Sequence, residues 1–91
     1  MGTAAALPTV TLLTTEACHL CEDANAELLQ RVVRGHIVLE HVTAGSAGGQ
    51  ALLARHRPAM FPLVLLNGAF FSAGRLPRRK LDRALASPKA P

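Results

Sequence analysis

Hydrophobic and polar positions change period along the chain, and each change marks an element. Thr9 to Leu13 alternates β-branched and aliphatic residues after Pro8, which predicts a short buried strand. From His19 to about Arg34 the apolar residues fall at Cys21, Ala24, Leu28 and Val32, a stripe at helical spacing. Gly35 stops this helix, and Arg31 and Arg34 stand in its last turn, where cations suit the helix dipole. Between strand and helix, Thr14-Thr15-Glu16-Ala17 reads as a turn carrying acceptors for the helix start. His36 to Val42 is a second strand. Gly45 to Gly49 forms a flexible connection with Ser46 as a candidate cap, and a short helix runs from Gln50 to about His56.

Pro58 then breaks the chain, and Pro62 stands directly before the apolar run Leu63-Val64-Leu65-Leu66, a third strand that starts at its proline. Asn67-Gly68 tolerates positive φ at both positions and predicts a two-residue hairpin turn into Phe70-Phe71, a fourth strand ended by Gly74. Phe70 and Phe71 point to opposite faces of that strand, so one belongs to the core. Pro77 fits a first helical position, and Leu81, Ala84 and Leu85 give the closing helix one apolar face up to Pro88. The order is β-α-β-α-β-β-α, an α/β fold. Its first two strands are parallel across a helical crossover, and its last two form an antiparallel hairpin. No repeat or linker divides the 91 residues, so one domain is expected, with its core over about 9–87 and a flexible tail at 88–91.

Composition narrows the function. A hydrophobic content of 49% fits a packed domain rather than a disordered tail. No segment approaches the roughly 18 consecutive apolar residues of a membrane span. Met1 to Leu13 lacks a basic start and is broken by Pro8, a poor signal peptide, and Ala6 spoils a myristoylation pattern after Gly2. A reducing cytoplasm is therefore the expected compartment. Charge is uneven: Glu16, Glu22, Asp23, Glu27 and Glu40 oppose only Arg31 and Arg34 in residues 1–45. Residues 46–91 hold eight arginines and lysines against Asp82 alone. A basic half suits nucleic acid or an acidic partner. The run at 78–83 reads as a solvated helix face, and with no aromatic interleaved, no nucleic-acid partner is expected.

The two cysteines are the candidate chemistry. Cys18-His19-Leu20-Cys21 closes too short a loop to staple a fold, so the pair reads as chemical rather than architectural. It falls where the first strand hands over to the first helix. Unpaired N–H groups and the positive end of the helix dipole favour a thiolate there. Cys18, at that end, is the attacking thiolate, and Cys21, one turn further along the same side, is the resolving thiol. Glu16, Glu22 and Asp23 oppose thiolate formation, whereas His19, if protonated and close, promotes it. The four histidines read as surface or strand-edge residues, with His56 a cap for the end of the second helix.

The stretch VTLLTTEACHLCEDA, Pro62 before a strand, the Asn67-Gly68 hairpin and the closing basic helix together resemble the glutaredoxin-like branch of the thioredoxin superfamily, from about Val10 to Leu85. The resemblance implies a four-stranded mixed sheet flanked by helices, and a dithiol mechanism through Cys18 and Cys21. It implies that Pro62 is the family's cis-proline beside the active site, with Phe61 offering backbone to an extended substrate. Such domains act as monomers on protein or small-molecule disulfides. They bind no cofactor tightly, and glutathione or a thioredoxin-type reductase supplies their electrons. Three departures bear on glutathione: Thr15 stands where a basic residue is usual, Met60-Phe61-Pro62 replaces Thr-Val-Pro, and Ala73-Gly74-Arg75-Leu76 rewrites the Gly-Gly loop and its following Asp. Arg75, or Arg55 and Arg57, can still supply charge for an anionic tripeptide. Rival readings are a zinc or copper module built on the C-x-x-C and a redox-inactive binding module on the same fold. The metal chaperones run β-α-β-β-α-β, and no histidine pair completes a zinc site.

Overall fold

The computed structural model describes residues 7–86. Strand β1 (Thr9–Thr14) is the centre of the molecule, buried along nearly its whole length. Helix α1 (His19–Val33) returns the chain so that β2 (Val38–Thr43) lies parallel to β1, with Thr9 beside Val38 and Thr14 beside Thr43. After α2 (Ala47–His56), β3 (Leu63–Leu66) pairs antiparallel with the other side of β1, and β4 (Ala69–Ala73) turns back along β3. The sheet order is β2-β1-β3-β4, and α3 (Arg78–Ala86) closes the described chain. This is the expected β-α-β-α-β-β-α order and four-stranded mixed sheet. No helix among the described residues is long and apolar enough to cross a membrane. The tail expected at 88–91 lies outside the described residues.

Alternation along the strands builds two apolar layers. Val10, Leu12 and Val64 face one side with Ala24 and Leu28 of α1, Ile37, Phe71, Leu76 and Leu81 of α3. Leu13, Leu63 and Leu65 face the other, where Leu52 and Leu53 of α2 and Phe61 pack. Two helices therefore cover one face and a single helix the other. The hairpin takes the expected conformation, with Asn67 at φ 50° and Gly68 at φ 84°. Asn67 also anchors the start of β1: its Oδ1 accepts from the Thr9 N–H (2.9 Å) and its N–H donates to the Thr9 carbonyl (2.8 Å). An irregularity in the β3–β4 pairing leaves Phe71 unpaired opposite Val64 and Leu65, and Phe71 is the buried member of the phenylalanine pair while Phe70 is exposed.

Two local expectations change, and a third gains detail. The stripe on α1 runs through Cys21, Ala24, Leu28 and Arg31, and Val32 is exposed. From Leu28 a helical step of three or four stays on one face, and Arg31 takes the inward place because carboxylates meet it there. Its guanidinium donates to Glu27 (3.0 Å) and to Asp82 on α3 (2.7 Å). Arg31 stands in the last turn, as expected, and is also a clamp between helices. Helix α2 starts at Ala47, three residues early, since Ser46 Oγ accepts from the Gly49 N–H (2.9 Å) and caps the helix there. The charged residues of the run 78–83 are exposed, a solvated face as expected, yet Lys80 and Asp82 are also engaged by the rest of the fold. Leu81 is fully buried, Asp82 holds Arg31, and Lys80 donates to the Phe71 carbonyl (2.7 Å) with its Nζ 4.6 Å from the Phe71 ring centre.

Candidate functional site

The carboxyl end of β1 delivers the chain into Thr15-Glu16-Ala17, where Ala17 takes φ 50° and turns the backbone into α1. The acceptors expected in this turn do not cap the helix. Cys18 is the N-cap: it is extended (φ −127°, ψ 103°), and its Sγ accepts from the Cys21 N–H at 3.1 Å. The Cys18 carbonyl accepts the first helical bond, from the Glu22 N–H (3.1 Å). One sulfur thus occupies the place of a capping oxygen, among the N–H groups that α1 leaves open at its start.

Cys18 and Cys21 are joined as a disulfide, with their Cα atoms 5.2 Å apart. The two sulfurs differ in setting. Cys18 is half-buried at the helix tip, whereas Cys21 is 4% exposed, under the turn. His19 lies outside this pair in an exposed contact with Glu22 (3.9 Å), which contributes little in water.

Pro62 enters the site through strand register. Leu13 pairs with Leu63, so Phe61 and Pro62 lie beyond the end of that pairing, on the side where β1 runs into the cysteine turn. The Phe61–Pro62 peptide is cis, Pro62 is fully buried, and its carbonyl accepts from the Gly74 N–H (2.9 Å). Gly74 has φ 94°, and a side chain there would press on Met60. Cys18, Cys21, Phe61 and Pro62 therefore gather at one end of the sheet.

Thr15 and Arg75 do not share a cleft. Thr15, with Glu16, Thr43 and Gly45, borders a cleft of about 470 Å³ between the ends of β1 and β2. Arg75 borders a larger groove of about 600 Å³ between α1 and α3, facing Leu20 and Asp23. Arg79 and Arg83 line the same groove, a role that the reading of 78–83 as a solvated face overlooked. Their spacing was the available signal, since residues 75, 79 and 83 recur at intervals of four. Arg55 lies elsewhere, beside His56 and Glu40. Among the described residues, no three His, Cys, Asp or Glu side chains come together to hold a metal ion.

Neither a scan of protein-family models nor a search of curated proteins returns a match. Among solved structures, a thioredoxin from Thermus thermophilus, determined in solution, superimposes with a TM-score of 0.55 at 23% identity. The match covers 87% of this chain and 71% of that one. The likeness shows that the chain has the thioredoxin fold.

Proposed function

We propose that the protein is a small thiol–disulfide oxidoreductase of glutaredoxin-like type, with Cys18 as nucleophile and Cys21 as resolving thiol. The observation that carries this reading is a disulfide at the tip of α1 whose two sulfurs differ in burial, set on a thioredoxin fold. In the reduced protein, Cys18 attacks as a thiolate where the Cys21 N–H already points at its sulfur. Attack on a substrate disulfide forms a Cys18–substrate bond and expels one substrate thiolate. Deprotonated Cys21 then attacks the Cys18 sulfur, closes the internal disulfide and releases the second substrate thiolate. Two electrons pass from the dithiol to the substrate, and both substrate thiolates take protons. A dithiol, or two equivalents of a monothiol such as glutathione, resets the pair.

Phe61 and Pro62, at the start of β3 beside the cysteine turn, provide the strip along which an extended substrate pairs its backbone. The substrate is a protein or small-molecule disulfide. The protein works as a cytoplasmic monomer without a tightly bound cofactor, and a thioredoxin-type reductase is an alternative electron source. The metal-module reading is weaker on two counts: the element order is not β-α-β-β-α-β, and no third ligand joins the cysteines among the described residues.

Exchange of each cysteine separates the roles. Cys21→Ser is expected to accumulate a mixed disulfide with an oxidised peptide, visible by non-reducing electrophoresis and mass spectrometry, because no resolving thiol remains. Cys18→Ser is expected to accumulate none. Adducts on the Cys18 variant would reverse the assignment, and failure of the reduced native protein to reduce any disulfide would end the oxidoreductase reading.

A further inference from the structure

Cations near α3 divide into two sets. Arg78 pairs with Glu27 (3.5 Å), and Lys80 is committed to the Phe71 carbonyl and ring. Arg75, Arg79 and Arg83 are all exposed and, among the described residues, have no carboxylate within 4 Å. These three line the groove between α1 and α3, where Asp23 is the single anion. Leu76 and Pro77 supply apolar floor, and Leu20 forms part of the wall. Leu20 stands between the two cysteines in sequence, so the groove adjoins the redox pair.

We infer that this groove docks a carboxylate-rich segment of a protein disulfide substrate, with Arg75, Arg79 and Arg83 receiving the carboxylates. The inference rests on the oxidoreductase reading and deepens it by naming a substrate class. Three unpaired guanidiniums on one rim match a run of Asp and Glu, since each offers a planar fork to a carboxylate. A volume of about 600 Å³ admits a few side chains of a peptide rather than a duplex. No aromatic side chain lines the groove to stack bases. The apolar floor suits the methylene stems of glutamates. Docking there holds a neighbouring cystine at the helix tip, so Cys18 attacks within a complex rather than in a random encounter.

The test uses three synthetic peptides with one intramolecular disulfide each, differing only in flanking residues: glutamates, glutamines or lysines. Prereduced protein is mixed with each peptide, and the second-order rate of its oxidation is measured in a single turnover. Two electrons leave the Cys18–Cys21 dithiol and reduce the peptide disulfide to two thiols, so no further reductant enters. At low ionic strength the glutamate peptide is expected to react about tenfold faster than the glutamine peptide, with the lysine peptide slowest. At about 0.5 M salt the spread is expected to fall below threefold. Arg79→Glu combined with Arg83→Glu is expected to reverse the order while leaving the glutamine rate and the far-UV circular dichroism unchanged. Arg34→Glu, outside the groove, is expected to keep the native order. Equal rates for the three peptides, or a preference that survives the double charge reversal, would overturn the docking site while the oxidoreductase reading stands. A random-sequence DNA duplex that displaces the glutamate peptide would reassign the groove to nucleic acid. If no peptide oxidises the protein, the oxidoreductase reading falls and the docking proposal with it.

Discussion

Arg31 is the residue whose loss the structure most sharply interprets. Its side chain is 9% exposed and spans two helices, donating to Glu27 one turn earlier on α1 and to Asp82 on α3. Arg31→Ala removes the cation and its aliphatic stem together. Breaking a buried ion pair from one side costs about 3–5 kcal/mol, because the remaining charge is stranded away from water. Two features lower that figure here. Asp82 is 62% exposed, so its carboxylate is rehydrated and its share falls to about 1 kcal/mol or less. Glu27, only 17% exposed, keeps Arg78 at 3.5 Å. The expected loss is about 2–3 kcal/mol, to which the vacated space for the stem contributes.

The measurement is urea unfolding of the oxidised protein followed by far-UV circular dichroism, since the chain has no Trp or Tyr for fluorescence. For a domain of this size the loss corresponds to roughly 8–24 °C in Tm. Asp82→Asn is expected to cost under about 1 kcal/mol, because only the exposed partner changes. Arg31→Met, which keeps much of the stem, is expected to fall between the two. An Arg31→Ala variant within about 0.5 kcal/mol of native, or Asp82→Asn as damaging as Arg31→Ala, would refute the clamp as described.

Two adjacent glycines in α2 are expected to respond with opposite signs. At Gly48 an added methyl meets only Val42 Cγ1 at 3.9 Å, so Gly48→Ala should stabilise by up to about 1 kcal/mol in urea melts through helix propensity. At Gly49 it collides with the Thr43 carbonyl oxygen and lies 2.9 Å from Ala44 Cα, so Gly49→Ala should destabilise by about 1–3 kcal/mol; equal effects would disprove the packing argument. Glutathione-driven reduction of a small disulfide is expected to be weak, because Thr15 offers no charge where glutaredoxins use a basic residue. A lost charge-assisted contact is worth about 1.5–3 kcal/mol, tenfold or more in affinity, and Thr15→Lys should raise the rate. Robust turnover in the native protein, unchanged by Arg75→Ala, would mean that the tripeptide binds through other contacts.

Local chemistry made much of the architecture legible before any fold was seen. Gly35 and Asn67-Gly68 sit at positive φ, which is why they punctuate the sequence so clearly. Pro62 marks the start of β3 because the strand pairs only from Leu63 onward. The cysteine pair is legible for the same reason: its meaning lies in the junction of β1 and α1, which the sequence periods locate. What stayed hidden depends on partners distant in sequence. Nothing near Arg31 reveals that Asp82, 51 positions later, will draw it inward, so Val32 looked the better core residue. Lys80 likewise reads as a surface charge until the Phe71 carbonyl is brought to it by the docking of α3. The groove at Arg75 is invisible on either helix alone, because one wall belongs to α1 and the other to α3.

The contacts that fasten α3 also decide which of its cations remain available. Leu81 enters the core, Asp82 reaches Arg31, and Lys80 reaches the hairpin. These inward commitments fix the rotation of the helix about its own axis. Residues four apart share a face, so Arg83 must follow Arg79 along the groove, and Arg75 extends the line ahead of the helix. A single substitution on the fastening face therefore has two separable consequences. Asp82→Asn lowers stability slightly but keeps Leu81 and Lys80 in place, and with them the line of arginines. Replacing Leu81 with Ala removes the one fully buried side chain of α3, at a cost of about 2–5 kcal/mol, and releases the rotation itself. If the arginine line serves docking, the Leu81 variant loses its discrimination between charged peptides while its folded fraction still reduces the neutral one. The Asp82 variant keeps both. The redox pair sits at the first turn of α1, while Asp82 is held by Arg31 in the last turn of that helix, so charge selectivity and thiol chemistry are carried by different parts of the same small fold.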